Sequence, residues 1–154
     1  MQLIDDRCNT GVDYRELMSA SLTRQDYHSL ASLRYLLRRF LRFSKDLTTA
    51  TAKLTPEQYE ALLALKAFSA DDGLTVAQLS ERVQVKHHTA VSLTDKLAAR
   101  KLLTKRRGAP DRRYVYVKLT PAGAKLVAAL AAAHRHEIRK HAPGMIKSLS
   151  RLKK

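Results

Sequence analysis

The pattern of helix starts, helix stops and alternating residues within 75–119 constrains this chain more than any other feature of its sequence. Residues 75–78 have the Thr-x-x-Gln spacing of a capping box, which predicts a short helix over residues 75–83. After a connection at 84–86, a second helix is predicted over 87–100, because small and apolar residues recur there at helical spacing. The predicted inward positions are Ala90, Leu93, Thr94 and Leu97.

A β-hairpin is predicted directly after these two helices. Its strands span residues 103–107 and 113–119, and Val115, Val117 and Leu119 alternate with polar or aromatic neighbours. Residues 108–111 form the predicted tip. Two short helices followed by a hairpin make a winged helix-turn-helix, whose second helix lies in the major groove of DNA.

The outer face of the second helix carries groups that suit contact with DNA. Imidazole, hydroxyl and ammonium groups hydrogen-bond base edges and phosphates, and a valine contacts the methyl group of thymine. The alternative is that these are solvated polar residues on a surface helix. The predicted contacts are Lys86, His87, His88, Thr89, Val91, Ser92 and Lys96.

The predicted wing is strongly cationic. Guanidinium groups at this density fit beside phosphates or inside a narrow minor groove, and Asp111 is expected to orient Arg113 by a bidentate pair. The alternative is a solvated charge run that protects an edge strand. The predicted wing residues are Lys105, Arg106, Arg107, Asp111, Arg112 and Arg113.

The charge of the whole chain also indicates a polyanionic partner. It has 29 Lys+Arg against 14 Asp+Glu and a formal net charge of +15, which favours nucleic acid first and a membrane surface second. The longest apolar run, 126–133, is far shorter than the roughly 20 residues of a membrane-spanning helix. The N-terminus lacks the order of a signal peptide. We therefore expect a cytoplasmic protein that binds double-stranded DNA and no membrane.

The segments on either side of the winged domain are predicted to be helical. We divide the chain into a partly ordered arm (1–25), an N-terminal dimerisation helix (26–54), the winged domain (55–119) and C-terminal dimerisation helices (120–154). The first helix carries more apolar surface than one small domain can cover, and residues 127–133 are small enough for close helix approach. These features predict a homodimer. Pro143-Gly144 is expected to end the long C-terminal helix near residue 141 and to be followed by a final short helix.

The order of these elements resembles the MarR family of transcription regulators. The resemblance covers about residues 26–154, and its most specific part is Asp111-x-Arg113 followed by Leu119-Thr120-Pro121-x-Gly123. It implies a triangular homodimer that grips a pseudo-palindromic operator, with Arg113 in the minor groove. One departure is Lys101, where relatives carry the glycine that ends the recognition helix with positive φ. Because lysine adopts that conformation at a cost of about 1 kcal/mol, a different helix end is expected.

Three further features concern signals. By resemblance, a small aromatic or anionic effector is expected in a cleft bordered by Tyr35, Arg39, Phe43 and Phe68, although core packing and solvated arginines explain the same residues. Cys8, the only cysteine, suggests redox sensing as an alternative but lacks supporting neighbours. His134, Glu137 and His141 share a predicted helical face, yet the many cations nearby disfavour a metal, and we predict no metal and no cofactor.

Together, these patterns predict a mainly α fold with a small β-hairpin wing, a winged helix-turn-helix flanked by dimerisation helices. The predicted function is a sequence-specific dimeric transcription regulator, a repressor released by a small-molecule effector. A non-specific architectural DNA-binding protein is the alternative. No glycine-rich phosphate loop, nucleophile elbow or paired-carboxylate motif is present, so no enzymatic activity is predicted.

Overall fold

The computed structural model of the chain describes residues 21–108 and 113–153. Most of the predicted arm, with Cys8, and the wing tip, with Asp111 and Arg112, lie outside these residues. Within them the chain forms five α-helices and a three-stranded antiparallel sheet. This confirms the predicted mainly helical fold with a small β wing. None of the described helices combines the length and apolarity needed to cross a membrane.

The first two helices begin at threonine caps. Helix α1 spans Arg24–Ala52, two residues earlier at its start than predicted, because Thr23 and Asp26 form a capping box. It ends at Lys53, whose φ of 52° is left-handed. Helix α2 spans Pro56–Phe68. The Thr55-x-x-Gln58 spacing predicts a capping box at its start, and both hydrogen bonds of that box are present.

The next two helices form the predicted helix-turn-helix. Helix α3 spans Val76–Val83, with the capping box of Thr75 and Gln78 in place. Helix α4 spans His87–Ala99 and buries Ala90, Thr94 and Leu97, as its periodicity predicted. The fourth predicted inward residue, Leu93, is only half-buried.

The wing is part of a sheet with one more strand than expected. Strand β1 is Leu74–Thr75, β2 is Leu103–Arg107 and β3 is Val115–Leu119, in the order β1-β3-β2. The prediction that the last strand begins at residue 113 was wrong, since β2–β3 pairing ends at Arg107 opposite Val115. Strand β1 was missed because two residues are too short to show alternation. Gly73, at φ +95°, permits its close approach, since a Cβ there would lie 2.2 Å from the carbonyl oxygen of Val117.

Helix α5 spans Pro121–Leu152 without the predicted interruption. The expectation that Pro143 ends the helix was wrong, although proline has no amide to donate to the carbonyl four residues earlier and costs about 3 kcal/mol in a helix interior. Packing against α1 offsets this cost. Leu36 of α1 lies 3.1 Å from where a Cβ of Gly144 would be, and Ser148, one turn later, is buried.

The hydrophobic core lies where α2, α3, α4, the sheet and the first half of α5 meet. Its fully buried side chains come from every one of these elements, so the helix-turn-helix and the wing share a single core. The largest of them are Leu54, Leu62, Leu65, Leu79, Leu97, Leu103, Val117 and Val127.

Candidate nucleic-acid interface

Helix α4 presents a polar face to solvent. Its inner face is fixed by Leu97, which has no exposed surface, and by Ala90 and Thr94, which are almost completely buried. Thr89 and Val91 are half-buried, and Val91 also packs against the core. The remaining predicted contacts on and beside this helix are exposed: Lys86, His87, His88, Ser92 and Lys96.

The start of α4 differs from the starts of the other described helices. The N-cap threonines of α1, α2, α3 and α5 each accept a hydrogen bond from a first-turn amide. The N-cap of α4 is Lys86, which makes no such side-chain bond. The first turn of α4 therefore offers amides together with a lysine ammonium, a combination that favours an anion.

The wing is tied to its surroundings by two ion pairs. Lys105 of β2 donates to Asp95 of α4 at 2.5 Å, and Arg106 donates to Asp72 at 2.7 Å. The guanidinium of Arg106 also lies 5.6 Å from the ring centre of Tyr116, and Arg107 is exposed. Exposed pairs of this kind stabilise a protein by less than about 1 kcal/mol. They tie the wing to α4 and to the turn before β1.

The wing and the exposed polar face of α4 meet at a small cleft. Its volume is about 130 Å³, and three basic residues of different elements line it: His87 of α4, Lys105 of β2 and Arg113 before β3. Arg113 is exposed. The other lining residues are Thr75, Val76, Ala77, Val91, Tyr114 and Val115. The structure thus brings together predicted contacts that lie 26 residues apart in sequence, between His87 and Arg113.

The end of α4 keeps a left-handed residue despite the absence of glycine. Lys101 has φ 57°. Its amide donates to Ala98 at 2.8 Å and that of Leu102 donates to Leu97 at 3.1 Å, which together form a Schellman motif. The expectation of a different helix end was therefore wrong, since tertiary contacts hold the lysine in the conformation that glycine normally supplies.

Four residues predicted to border an effector cleft are not brought together within one chain. Tyr35 and Arg39 line a cleft of about 350 Å³ on α1, together with Arg38 and Arg42. Phe43 instead packs edge-on against His134, with ring centres 5.9 Å apart. Phe68 lies elsewhere, 4.1 Å below the guanidinium of Arg82.

The histidine-rich face of α5 is occupied by internal hydrogen bonds. His134 is buried and stacks on Tyr59 at 4.5 Å. Its Nδ1 donates to the carbonyl of Leu130 at 2.7 Å, and its Nε2 lies 2.8 Å from the hydroxyl of Ser44. With both nitrogens engaged, His134 acts as a core residue. Across the described ranges, no group of three or more His, Cys, Asp or Glu side chains is arranged to hold a metal.

Glu137 and His141 form a separate pair one turn further along. The carboxylate of Glu137 accepts from His141 at 3.0 Å and from Lys140 at 3.2 Å. These two hydrogen bonds, that of His141 first, hold the pKa of Glu137 below that of a free glutamate.

Comparison with known proteins finds relatives of this geometry. A model of the MarR family matches residues 52–113, the region that contains α2, the helix-turn-helix and the first strand of the wing. The PcaV transcriptional regulator of Streptomyces coelicolor is 28% identical, with a TM-score of 0.56 over 71% of this chain and 80% of its own. The matched segment of this chain is therefore similar to the MarR family. No curated protein sequence matches it.

Two other solved structures show the same fold at lower identity. MepR of Staphylococcus aureus, in complex with DNA, is 24% identical, with a TM-score of 0.63 over 80% of this chain and 85% of its own. AbsC of Streptomyces coelicolor, a MarR family transcriptional regulator, is 18% identical, with a TM-score of 0.66 over 80% and 82%. Both the matched segment and the fold are similar to those of MarR-family transcription regulators.

Sequence reasoning missed the residues that orient the site. Asp95 and Asp72 were not singled out, yet they hold Lys105 and Arg106 of the wing. Arg100 was missed as well, although its guanidinium reaches the end of α1. The sequence did contain a signal for Asp95, since it is an acidic residue on the outer face of α4, which is otherwise basic. The partners of Arg106 and Arg100 lie 34 or more positions away and had no local signal.

Proposed function

We propose that this protein is a MarR-family regulator, a homodimeric, sequence-specific repressor that reads a pseudo-palindromic operator and is released by a small anionic or aromatic effector. One observation carries the proposal. The exposed polar face of α4 and the cationic base of the wing meet at a single cleft, where His87, Lys105 and Arg113 converge. A major-groove reader and a phosphate-binding or minor-groove element are therefore held in one rigid unit.

The composition of the α4 face favours base readout. His87, His88 and Ser92 offer donors and acceptors near the start of the helix, the part that approaches base edges in helix-turn-helix proteins. Lys86 and Lys96 at either end of this face are placed for phosphates. A purely architectural protein needs the phosphate contacts but not a central face of polar, uncharged groups.

Apolar residues left exposed on α1 and α5 support the homodimer. Leu41 is 59% exposed on α1 and Ile146 is 62% exposed on α5. Side chains of this kind are buried when a second copy packs against both helices. The others on these helices are Tyr27, Leu30, Tyr35, Leu37, Ile138 and Leu149. Two recognition helices in such a dimer fall about one DNA turn, ~34 Å, apart.

The cleft on α1 supports release by an anionic effector. Tyr35, Arg38, Arg39 and Arg42 line it, and guanidinium groups beside an aromatic ring suit a planar anion. The cleft lies on a helix that also carries the proposed dimer surface, so a ligand there changes how the two copies pack. Phe43 and Phe68 stand apart from it and are not part of this proposal.

Selection of bound sequences from random DNA tests the proposal directly. We expect a short palindrome protected in footprinting and bound ~10³-fold or more tightly than unrelated duplexes at physiological salt. Uniform, strongly salt-dependent coverage of any duplex would instead indicate the architectural alternative. Peroxide treatment of the wild type and of Cys8→Ser distinguishes the redox alternative, since equal responses exclude Cys8.

Removal of the Arg113 side chain tests the role of the wing. Arg113→Ala is expected to weaken operator binding by about tenfold or more, because one phosphate or minor-groove contact is lost in each protomer. The free energy of unfolding of the variant should stay within about 1 kcal/mol of the wild type, since contacts of an exposed arginine contribute little to stability. Lys125→Ala, an exposed cation on α5, is the control. Wild-type affinity in Arg113→Ala would remove the wing from the mechanism.

A further inference from the structure

We propose that Arg100 is a positioning residue that fixes the end of the recognition helix, α4, to α1. The spacing of the two α4 helices in the dimer is then set through this side chain. The proposal rests on the dimeric function above. It concerns a residue that need not contact DNA.

The guanidinium of Arg100 binds the last carbonyl groups of α1. Its Nη1 donates to the carbonyl of Lys53 at 2.9 Å, and its Nη2 donates to the carbonyl of Ala52 at 2.6 Å. Two donors of one planar group thus engage two successive acceptors, which restricts rotation as well as distance.

The receiving helix end is suited to a cation. The last turn of α1 contains no basic residue, and the carbonyl groups at a helix C-terminus carry partial negative charge. Arg100 supplies the positive group from a position 47 residues after Lys53. Because Arg100 stands at the end of α4, the contact links two elements instead of stabilising one.

The same corner of the chain is held on its other side by α5. The hydroxyl of Thr120 donates to the carbonyl of Lys101 at 2.8 Å, and its amide donates to that of Leu102 at 3.1 Å. A Cβ at Gly123 would lie 1.9 Å from the carbonyl oxygen of Leu102, so the first turn of α5 rests directly on this backbone.

Residues 100–102 therefore connect the recognition helix to both proposed dimerisation helices. The contacts from α5 are made to backbone, whereas the contact to α1 depends on a single side chain. Without that side chain α4 keeps its core residues but can tilt relative to α1. In a dimer such a tilt changes the separation of the two α4 helices. That separation must match the spacing of the DNA half-sites, in which one base pair corresponds to ~3.4 Å.

The test uses operators whose half-sites are moved apart or together by one base pair. The wild type should discriminate against both altered spacings. Arg100→Met, which keeps the length of the apolar stem, should bind the correct spacing about tenfold more weakly and lose most of the discrimination. Arg100→Lys keeps the charge but not the planar group with two donors. Its affinity and its discrimination between spacings should lie between those of the wild type and of Arg100→Met. Arg135→Met, which removes an exposed arginine of α5, should behave as the wild type.

A measurement without DNA separates this proposal from the proposed function. In a Cys8→Ser background, one spin label is attached at Ser92→Cys on α4 and another at Lys45→Cys on α1. The labelled protein is diluted with unlabelled protein, so that the measured distance is the one between α4 and α1 within a single chain. We expect a broader or shifted distribution in Arg100→Met. An unchanged distribution in a folded variant overturns the role of Arg100, even if the operator is confirmed. Absence of any preferred operator in the wild type would overturn the proposed function, while a broadened distribution would still support the link.

Discussion

Lys101 holds a backbone conformation that glycine adopts at lower cost. Its φ of 57° lies in the left-handed region, where a Cβ is crowded by the neighbouring carbonyl. The Schellman bonds of α4 and the donation from Thr120 keep it there. The residue therefore stores a modest unfavourable energy at the junction of the recognition helix and the wing.

Lys101→Gly should relieve this cost. We expect the free energy of unfolding to rise by about 1 kcal/mol, because glycine takes the left-handed conformation without steric penalty. Urea denaturation measures the difference. Lys125→Gly, in the interior of α5, is the opposite control and should lower stability by about 1 kcal/mol. A loss of stability in Lys101→Gly would show that the lysine stem contributes more than its conformation costs.

Glu137 contributes stability that depends on pH. The hydrogen bonds from His141 and Lys140 lower its pKa in the folded chain relative to a free glutamate. A lowered folded-state pKa stabilises the fold above the unfolded pKa, and this stabilisation is lost as the pH falls through the folded value.

Glu137→Gln should expose that dependence. At neutral pH the variant is expected to have a lower melting temperature than the wild type, because the charge-assisted bonds are lost. As the pH falls through the lowered folded-state pKa of Glu137, the two melting temperatures should converge. Thermal scans across this range measure both. A difference that stays constant with pH would mean that packing, and not ionisation, causes the loss.

The helices show which features a sequence can predict by itself. The capping boxes at Thr55 and Thr75 were predicted because all their atoms lie within four residues. The burial of Ala90, Thr94 and Leu97 was predicted for a related reason, since helical period alone places them on one face. The outward face of the candidate interface follows from the same periodicity.

Features that depend on distant partners were not predicted. Strand β1 exists because β3 pairs with it, and α5 continues through Pro143 because α1 packs against it. The ion pairs that orient the wing likewise join residues up to 34 positions apart. Tertiary packing determines these features, and local propensity carries no information about it.

The uncapped start of α4 yields a prediction with two opposite effects. Lys86→Ser should stabilise the free protein by about 1 kcal/mol, because serine can accept from a first-turn amide. It should also weaken DNA binding. The slope of the logarithm of the binding constant against the logarithm of the salt concentration should become shallower by about 0.9 per protomer, because one phosphate contact is lost. Lys86→Ala should show the loss of affinity without the gain in stability. Unchanged affinity in both variants would place Lys86 outside the interface.

At the scale of the whole molecule, exposed apolar residues on α1 and α5 account for the expected assembly. Leu41→Glu is expected to convert dimers to monomers at micromolar concentration, since it introduces two charges into a symmetric apolar surface. Sedimentation velocity measures the change. Leu63→Glu makes the same chemical change at a 37% exposed leucine on α2 and should leave the assembly intact. Persistence of the dimer in Leu41→Glu would move the interface elsewhere.

The uninterrupted course of α5 has a mechanical consequence. A helix of 32 residues is about 48 Å long at 1.5 Å per residue. Its first turn supports the wing and its last turns pack on α1, so it works as a lever between them. A rotation of about 5° at one end moves the other by about 4 Å, close to one step along DNA. In the proposed dimer on DNA, a small rotation of this helix would thereby be enlarged to the scale of a whole base pair.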